Sequence, residues 1–250
     1  MIIIVLVCVL SLYSIINAFF VHVNEFDLNI NGLDKGLKIV QVSDLHIGTI
    51  RNSGYLNKVI DKINSIDPDM VFLTGDIVDG TAPLHKDIFM PFNKLNSRVF
   101  FVTGNHETYE GVEKVYSLFK GTKVSILKNE AVSFDGIQVI GVEFSQSKNH
   151  LKEVLSDLNL SSSPSILLYH SPTDMEVAKS YNVSLQLSGH THAGQILPFR
   201  FISMLFYPQQ KGLYDFGKMK LYVSPGTGTW GPYMRLGSRN EITVINLLPS

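Results

Sequence analysis

Residues 37–46, LKIVQVSDLH, set a pattern that recurs at residues 70–79, MVFLTGDIVD, and at residues 99–107, VFFVTGNHE. Each stretch opens as a short run rich in apolar and β-branched residues and ends among Asp, Asn or His. The segments between them, 55–66 and 88–95, carry apolar residues at helical spacing. That alternation predicts a βαβαβ start and a mostly parallel sheet. In an open α/β sheet, whatever follows the carboxyl ends of the strands gathers at one edge, where ligand sites form. The polar ends of the three stretches are therefore expected to converge.

Two later segments repeat the device: Tyr169-His170-Ser171 follows an apolar run at 166–169, and Gly189-His190-Thr191-His192 follows one at 185–187. Residues 111–120 and 151–158 read as helices. Strands are expected over 124–134 and 137–144, meeting at Asp135-Gly136, a dipeptide that favours a tight hairpin. Strands at 221–223 and 242–247 close the chain. Two sheets packed together with helices outside account for all of these. The sequence has no internal repeat or low-complexity tract, and only residues 23–36 read as a connector.

With 250 residues, 45% of them hydrophobic, the chain holds enough material for one sizeable core. Lys and Arg total 21 against 22 Asp and Glu, without a dense basic cluster, which argues against nucleic acid as a partner. Cys8 is the only cysteine, so an internal disulfide and a cysteine-based zinc site are both excluded. Residues 2–21 carry no Lys, Arg, Asp or Glu, and at ~1.5 Å per residue a helix of that length matches a bilayer's hydrocarbon core. The reading is a membrane anchor. A secretory signal fits less well, because no positive region precedes the run and Ile16-Asn17-Ala18 is a poor cleavage site; a buried core helix is the third reading. The expected organisation is an anchor at 1–23, a connector at 24–36 and a catalytic domain at 37–250. Lys35 and Lys38 are the first basic residues after the run and follow Glu25, Asp27 and Asp34, so the charges give no clear orientation. The abrupt apolar run after Met1 is also compatible with further spans upstream.

The polar segments suit two cations. Two dications ~3.5–4 Å apart repel, and a site for both needs an anion between them and neutral or anionic ligands around each. Asp76 is the candidate bridge. Asp44 and His46, at i and i+2 on an extended backbone, face one ion together, and His190 and His192 repeat that spacing. Asn105 offers a neutral carbonyl oxygen, and the mixed oxygen and nitrogen set suits zinc, iron or manganese better than calcium. Singly, each signal is a common turn or cap; five of the eight histidines in such segments, each at a strand end, is not. His22, His85 and His150 fall outside the pattern and are expected at the surface.

This ordered set resembles the calcineurin-like metallophosphoesterases, whose motifs read Asp-x-His, Gly-Asp-x-x-Asp, Gly-Asn-His-Asp/Glu, a lone His and Gly-His-x-His. The resemblance spans about residues 37–247. It implies a four-layer αββα fold, two mixed sheets flanked by helices, here with an N-terminal transmembrane helix. It also implies roles: Asp44, His46 and His192 on one metal, Asn105, His170 and His190 on the other, and Asp76 bridging. His106 would be no ligand but would face the substrate as a donor, with Asp79 accepting a hydrogen bond from its other ring nitrogen. Glu107 matches the last position of its motif and is expected to play at least a local structural part.

The tail, Gly226-Thr227-Gly228-Thr229-Trp230-Gly231-Pro232 with Arg235 ahead of Glu241-Ile242-Thr243, is similar to a membrane-associated branch of that family. Some members of that branch are phosphodiesterases of nucleotide-linked glycolipids such as UDP-2,3-diacylglucosamine. Serine/threonine phosphatases continue Gly-Asp-x-x-Asp with Arg-Gly, whereas Gly80 follows Asp79 here, which disfavours phosphoprotein substrates. Arg235 is expected either to replace that cation or to sit in an ion pair. The expectation is a monomeric, membrane-anchored phosphodiesterase or pyrophosphatase using two divalent ions (Mn, Zn or Fe) on a lipid-linked or nucleotide-linked phosphoester. The alternatives are a phosphomonoesterase or protein phosphatase, and a catalytically silent metal-binding scaffold. Residues 195–214, rich in Phe and following His192 closely, read either as an apolar lip at the mouth of the site or as ordinary core.

Overall fold

The computed structural model describes residues 1–80 and 83–250. One six-stranded sheet runs in the order β1 (Val21–Ile30), β12 (Asn240–Pro249), β2 (Leu37–Val42), β3 (Met70–Thr74), β4 (Arg98–Val102), β5 (Val124–Ile126). The other runs β10 (Gly212–Phe216), β11 (Met219–Val223), β9 (Leu185–Ser188), β8 (Ser165–Tyr169), β7 (Ile137–Val142), β6 (Glu130–Phe134). The strands that deliver the polar segments, β2, β3 and β4 in the first sheet and β8 and β9 in the second, are parallel to their neighbours within these groups. Their carboxyl ends open on the same edge of the two-sheet stack.

Strand periodicity assigns each apolar side chain to a layer. Ile39, Met70, Phe72, Phe100 and Val102 pack with Val139, Ile166, Leu168 and Leu187 in the core between the sheets. Their neighbours Val40, Val42, Val71, Leu73 and Phe101 point the other way, into a core closed by α2 (Ser53–Ile66) and α4 (Val112–Leu118). On the far side, Ile140, Leu167 and Leu221 pack beneath α5 (His150–Asp157) and α6 (Met175–Ser180). Near-continuous apolar runs in β2 and β3 follow from burial on both faces. The result is two mixed sheets with helices outside, as expected.

Several local expectations are corrected. Much of the 24–36 connector is strand: β1 pairs in parallel with β12 over ten residues, from Val21 with Asn240 to Ile30 with Pro249. As an edge strand it leaves most side chains in water, so its sequence is too polar to read as sheet. The single strand expected over 124–134 is two, β5 in one sheet and β6 in the other, with Asn129 in a left-handed conformation (φ 54°) at the crossing. The helix expected at 88–95 is a 3-10 segment, Lys86–Lys94, containing Pro91, which lacks the N–H an α-helix needs. Gly111, at φ 96°, ends α3 (Asn105–Glu110) and starts α4, so the later helix begins one residue beyond the expected 111. The Asp135-Gly136 hairpin forms as expected, with φ 52° and 82°. Strand β10 (Gly212–Phe216) and the helices α3, α6 and α7 (Phe199–Phe206) have no counterpart in the elements expected from sequence.

The N-terminal helix α1 (Ile2–Phe19) is long and apolar enough to cross a membrane, and nearly all of it projects from the domain. Only its last turns are held. Ser14 and Ala18 are buried, Asn17 Nδ2 donates to the carbonyls of Arg235 and Ser238 at 2.9 Å each, and Asn240 Nδ2 donates to Ala18 O at 2.7 Å.

Phe101 tests the packing: it is fully buried, and its ring lies 4.8 Å from that of Phe119 on the helical layer. Phe101→Ala should cost about 3–5 kcal/mol of stability, read by urea unfolding of the cation-free protein in detergent. A loss under about 1 kcal/mol would contradict this account of the core.

Candidate metal centre

The loops after the strands are tightly wound. Asp44, His46, Asp76, His190 and His192 all adopt left-handed backbone, at φ 54°, 48°, 53°, 71° and 50°. The extended backbone expected for Asp44 and His46 is thus corrected, although their side chains do converge. Left-handed conformations of non-glycine residues cost of order 1–3 kcal/mol each and persist only where the surroundings fix them.

Glu107 supplies much of that fixing. Its fully buried carboxylate accepts from Asp76 N (2.8 Å), Ile77 N (2.8 Å), Val78 N (3.1 Å) and, reaching back to the N-cap of its own helix, Gly104 N (2.6 Å). Asp76 Oδ1 in turn accepts from His106 N at 2.9 Å. The loops also bond to one another, Asp44 N to Gly75 O and His46 N to Asp76 O, both at 3.0 Å. Glycine is required where they nest: a Cβ on Gly104 would collide with the Asp76 carboxylate, and one on Gly189 with Ser43 and Asp44. Across the two sheets, the Asp44 carboxylate accepts from His190 N at 3.1 and 3.2 Å.

All seven candidate ligands meet in this space. Asp44, His46 and His192 form one group and Asp76, His170 and His190 a second, with the donor atoms of each within 4.8 Å of one another. His46 Nε2 lies 3.1 Å from His192 Nε2, and His192 Nε2 lies 3.3 Å from Asp44 Oδ1. Asp76 Oδ2 stands between the groups, 3.2 Å from His170 Nε2 and 3.9 Å from His46 Nε2. Asn105 Oδ1 is 2.9 Å from His190 Nδ1.

The outer partners orient the rings. His170 Nδ1 donates to Thr74 O at 2.8 Å, which turns Nε2 toward Asp76. His190 Nε2 is 2.9 Å from the Tyr207 hydroxyl. Partners of this kind fix the tautomer of a ligating histidine. His106 borders the cluster with its ring centroid 4.6 Å from that of His46, and joins His46 and Asp79 in a third close group. Its Nδ1 is 2.6 Å from the backbone carbonyl of Asp79. A carbonyl only accepts, so this nitrogen carries hydrogen. That carbonyl takes the part expected of the Asp79 carboxylate, whose Oδ1 lies 3.8 Å from His46 Nδ1.

Burial keeps three imidazoles neutral: His46 is lowered to about 3, His190 to about 4, and His192 well below the usual histidine range. Burial opposes the charged forms of Asp76 and His170 too, but their mutual attraction outweighs it. Asp76 therefore stays far below the usual carboxylate range and His170 rises to about 10. Burial, with Asp76 nearby, raises Asp44 to about 6. Without cations His170 alone of these four imidazoles thus carries a second proton, which a metal would displace.

Arg235 fits neither expectation. It is fully buried, and its guanidinium donates to His192 O (2.8 Å), Pro225 O (2.8 Å), Gly228 O (2.6 Å), Asn240 Oδ1 (2.9 Å) and Ser238 Oγ (3.1 Å). It ties the tail loop to the His192 loop and pairs with no carboxylate among the described residues. Tyr207 carried no motif signal in the sequence. Glu107 did, through its place after Gly-Asn-His.

Comparison with known proteins agrees with this architecture. The calcineurin-like phosphoesterase family matches residues 37–194, and the chain belongs to that family. It is 36% identical to a metallophosphoesterase of Helicobacter pylori, strain J99, over 91% of this chain and 64% of the relative. It is 31% identical to a Danio rerio transmembrane protein with a metallophosphoesterase domain, over 97% of this chain and 61% of the relative. A metallophosphoesterase of Aquifex aeolicus matches at 31% identity over 95% of this chain and 96% of its own length. The chain spans less than two thirds of the Helicobacter and Danio relatives. A solved dimetal phosphatase from Danio rerio shares the fold at a TM-score of 0.51, with 13% identity, over 77% of this chain and 88% of that one.

Glu107→Gln tests the loop scaffold. The amide keeps the volume but turns a donor toward two of the four backbone N–H groups, since each carboxylate oxygen accepts from two. It should lower stability by about 1–3 kcal/mol and reduce metal content per chain. Unchanged unfolding and metal analysis would remove Glu107 from this role.

Proposed function

We propose that this protein hydrolyses phosphodiesters or pyrophosphates with two divalent cations, on substrates that carry an apolar or nucleotide-linked group. The observation behind this reading is the meeting of two donor groups at one oxygen, Asp76 Oδ2, with His106 at their border. Around one tetrahedral cation with ~2.0–2.1 Å bonds, neighbouring donor atoms stand roughly 3.3 Å apart. The His46–His192 and His192–Asp44 separations of 3.1 and 3.3 Å match that span, and the lone pairs of neutral imidazoles have no other partner as good. Asp44, His46 and His192 would hold one cation and Asn105, His170 and His190 the other, with Asp76 shared. The mixture of imidazole, carboxylate and amide suits manganese, zinc or iron.

When bound, the cations make hydroxide available near neutral pH and offset charge on the phosphoryl group. His106 is placed to donate a proton from Nε2 to the leaving oxygen, with Nδ1–H held by the Asp79 carbonyl. A scaffold that only bound metal would have no use for that side chain. Phosphoprotein substrates are less well supported, since Gly80 occupies the position where such phosphatases carry arginine.

The surroundings support a lipid-linked substrate. Helix α7 buries none of its residues: Phe199, Phe201, Leu205 and Phe206 are each 65–80% exposed. Beneath it a cavity of about 440 Å³ runs from His190 and His192 to Ile196, Phe199, Ile202 and Trp230. Exposed apolar patches of this kind mark membrane or ligand contacts. With α1 as the anchor, the lip and the cavity would face the headgroup layer, and an acyl chain could lie beside the phosphoryl group. A nucleotide-linked glycolipid of the UDP-2,3-diacylglucosamine type has that shape.

Asp76→Asn should empty at least one metal site and abolish turnover, whereas Asp44→Asn should be milder. His106→Ala should keep both metals and lose turnover by roughly 10²–10⁴-fold. Metal analysis alongside hydrolysis of bis-p-nitrophenyl phosphate, p-nitrophenyl phosphate and a UDP-linked glycolipid, with Mn²⁺, Zn²⁺ or Fe²⁺, decides these points. Two metals and near-native activity in Asp76→Asn would overturn the bridging role, and metal loss in His106→Ala would make it a ligand.

Replacing Phe199, Phe201 and Phe206 together by Ser should abolish turnover of the lipid-linked substrate while that of the soluble diester persists. Equal losses on both would assign α7 to the structural core.

A further inference from the structure

Arg51 is a buried cation whose hydrogen-bonding capacity is largely unused. It is 2% exposed and sits just ahead of α2, whose N-cap is Asn52. Its guanidinium carbon lies 4.7 Å from the ring centroids of both Tyr55 and Tyr233, so aromatic rings hold the group. Nη1 donates to Thr229 Oγ1 at 2.6 Å, whereas Nε and Nη2 have no hydrogen-bond partner. The neighbouring Tyr55 hydroxyl donates to Thr227 O at 2.5 Å. No carboxylate pairs with Arg51 among the described residues. Leaving a buried charged donor unsatisfied is costly, so such donors in a folded protein are met by a ligand or an ordered water.

Arg51 lines two cavities, one of about 760 Å³ toward the end of α1 with Phe19, Tyr55 and Tyr233, and a small one on the side of the candidate metal centre. Arg51 and its partner Thr229 line a cavity of about 20 Å³ whose other walls include His46 and Asp79. That volume takes one oxygen-sized group. Nε–H and Nη2–H form the side-on edge of the guanidinium, the pair of parallel donors that matches two oxygens of a phosphate or carboxylate. Two other sources of positive charge are absent here: Gly80 replaces the arginine of the phosphoprotein phosphatases, and Arg235 is spent on carbonyls.

We infer that Arg51 is the phosphoryl-anchoring residue of this site, its Nε–Nη2 edge gripping one non-bridging oxygen of a phosphoryl group held at the metal centre. The inference rests on the phosphoester reading above. It assigns the cation from the loop after β2, a position that the motif series leaves unmarked. Binding an anion there satisfies both orphaned nitrogens and adds negative charge opposite the cluster's cations.

The test is calorimetric titration of inorganic phosphate into the manganese-loaded full-length protein in detergent, comparing wild type, Arg51→Ala, Arg51→Lys and Thr229→Val. Metal content and thermal midpoint are measured on the same samples. Arg51→Ala should keep two metals per chain and bind phosphate about 10- to 100-fold more weakly, as expected for a lost charge-assisted fork. Added methylguanidinium should restore part of that affinity, and Arg51→Lys should fall between. Should Arg51→Ala fail to fold, Thr229→Val keeps the charge but loses the bond that aims it, and a several-fold weakening is expected. Phosphate affinity within two-fold of wild type in the folded Arg51→Ala protein, or in Thr229→Val where Arg51→Ala does not fold, overturns the inference. So does loss of metal from Arg51→Ala, or failure of wild type to bind phosphate. Arg51-dependent phosphate binding without hydrolysis of any phosphoester would leave the anion site standing and remove the hydrolase reading.

Discussion

One buried carboxylate holds the centre in shape. The ends of β3 and β4 must present Asp76 and Asn105 to the same small volume, and the chain can do so only by winding through a left-handed turn at Asp76. Four N–H groups inside that turn and the next would otherwise be stranded away from water. Glu107 accepts from all of them. The strain of the turn and the burial of the carboxylate are each unfavourable alone and offset each other together, which makes the candidate bridging oxygen part of the backbone architecture. It also explains why the third motif ends in an acid that touches no cation.

Charge is distributed along the same lines. Asp44 and Asp76 are buried among imidazoles that burial keeps neutral, so the cluster is short of positive charge except for the proton on His170. Two dications, as proposed, would supply what is missing. The two arginines near the centre divide the remaining work: Arg235 is saturated with carbonyls and serves the loops, whereas Arg51 retains two donors. Sequence motifs do not distinguish these uses, because an arginine's role is set by what its hydrogen bonds already hold.

The two-sheet frame and every candidate ligand were legible in the sequence, since buried parallel strands leave long apolar runs and their polar ends stand out against them. What escaped was governed by surroundings. Strand β1 looks like a linker because an edge strand need not be apolar, and residues 124–134 look like one strand because the left-handed Asn129 that divides them between sheets has no apolar signature. The spacing of Asp44 and His46 suggested extended backbone, yet both are left-handed; i and i+2 side chains can share a target in either conformation. Arg51 and Tyr207 are invisible to motif reading, since each acts through a neighbour distant in sequence.

The docking of α1 bears on the His192 loop. Ser14, Asn17 and Ala18 are committed to the tail loop, so the last turns of the helix belong to the domain. The Arg235 main chain is bonded to Ser14 O at 2.9 Å while its side chain holds His192 O, so one residue ties the helix end to the candidate metal centre. A displacement of the helix end would reach the imidazole through that single residue.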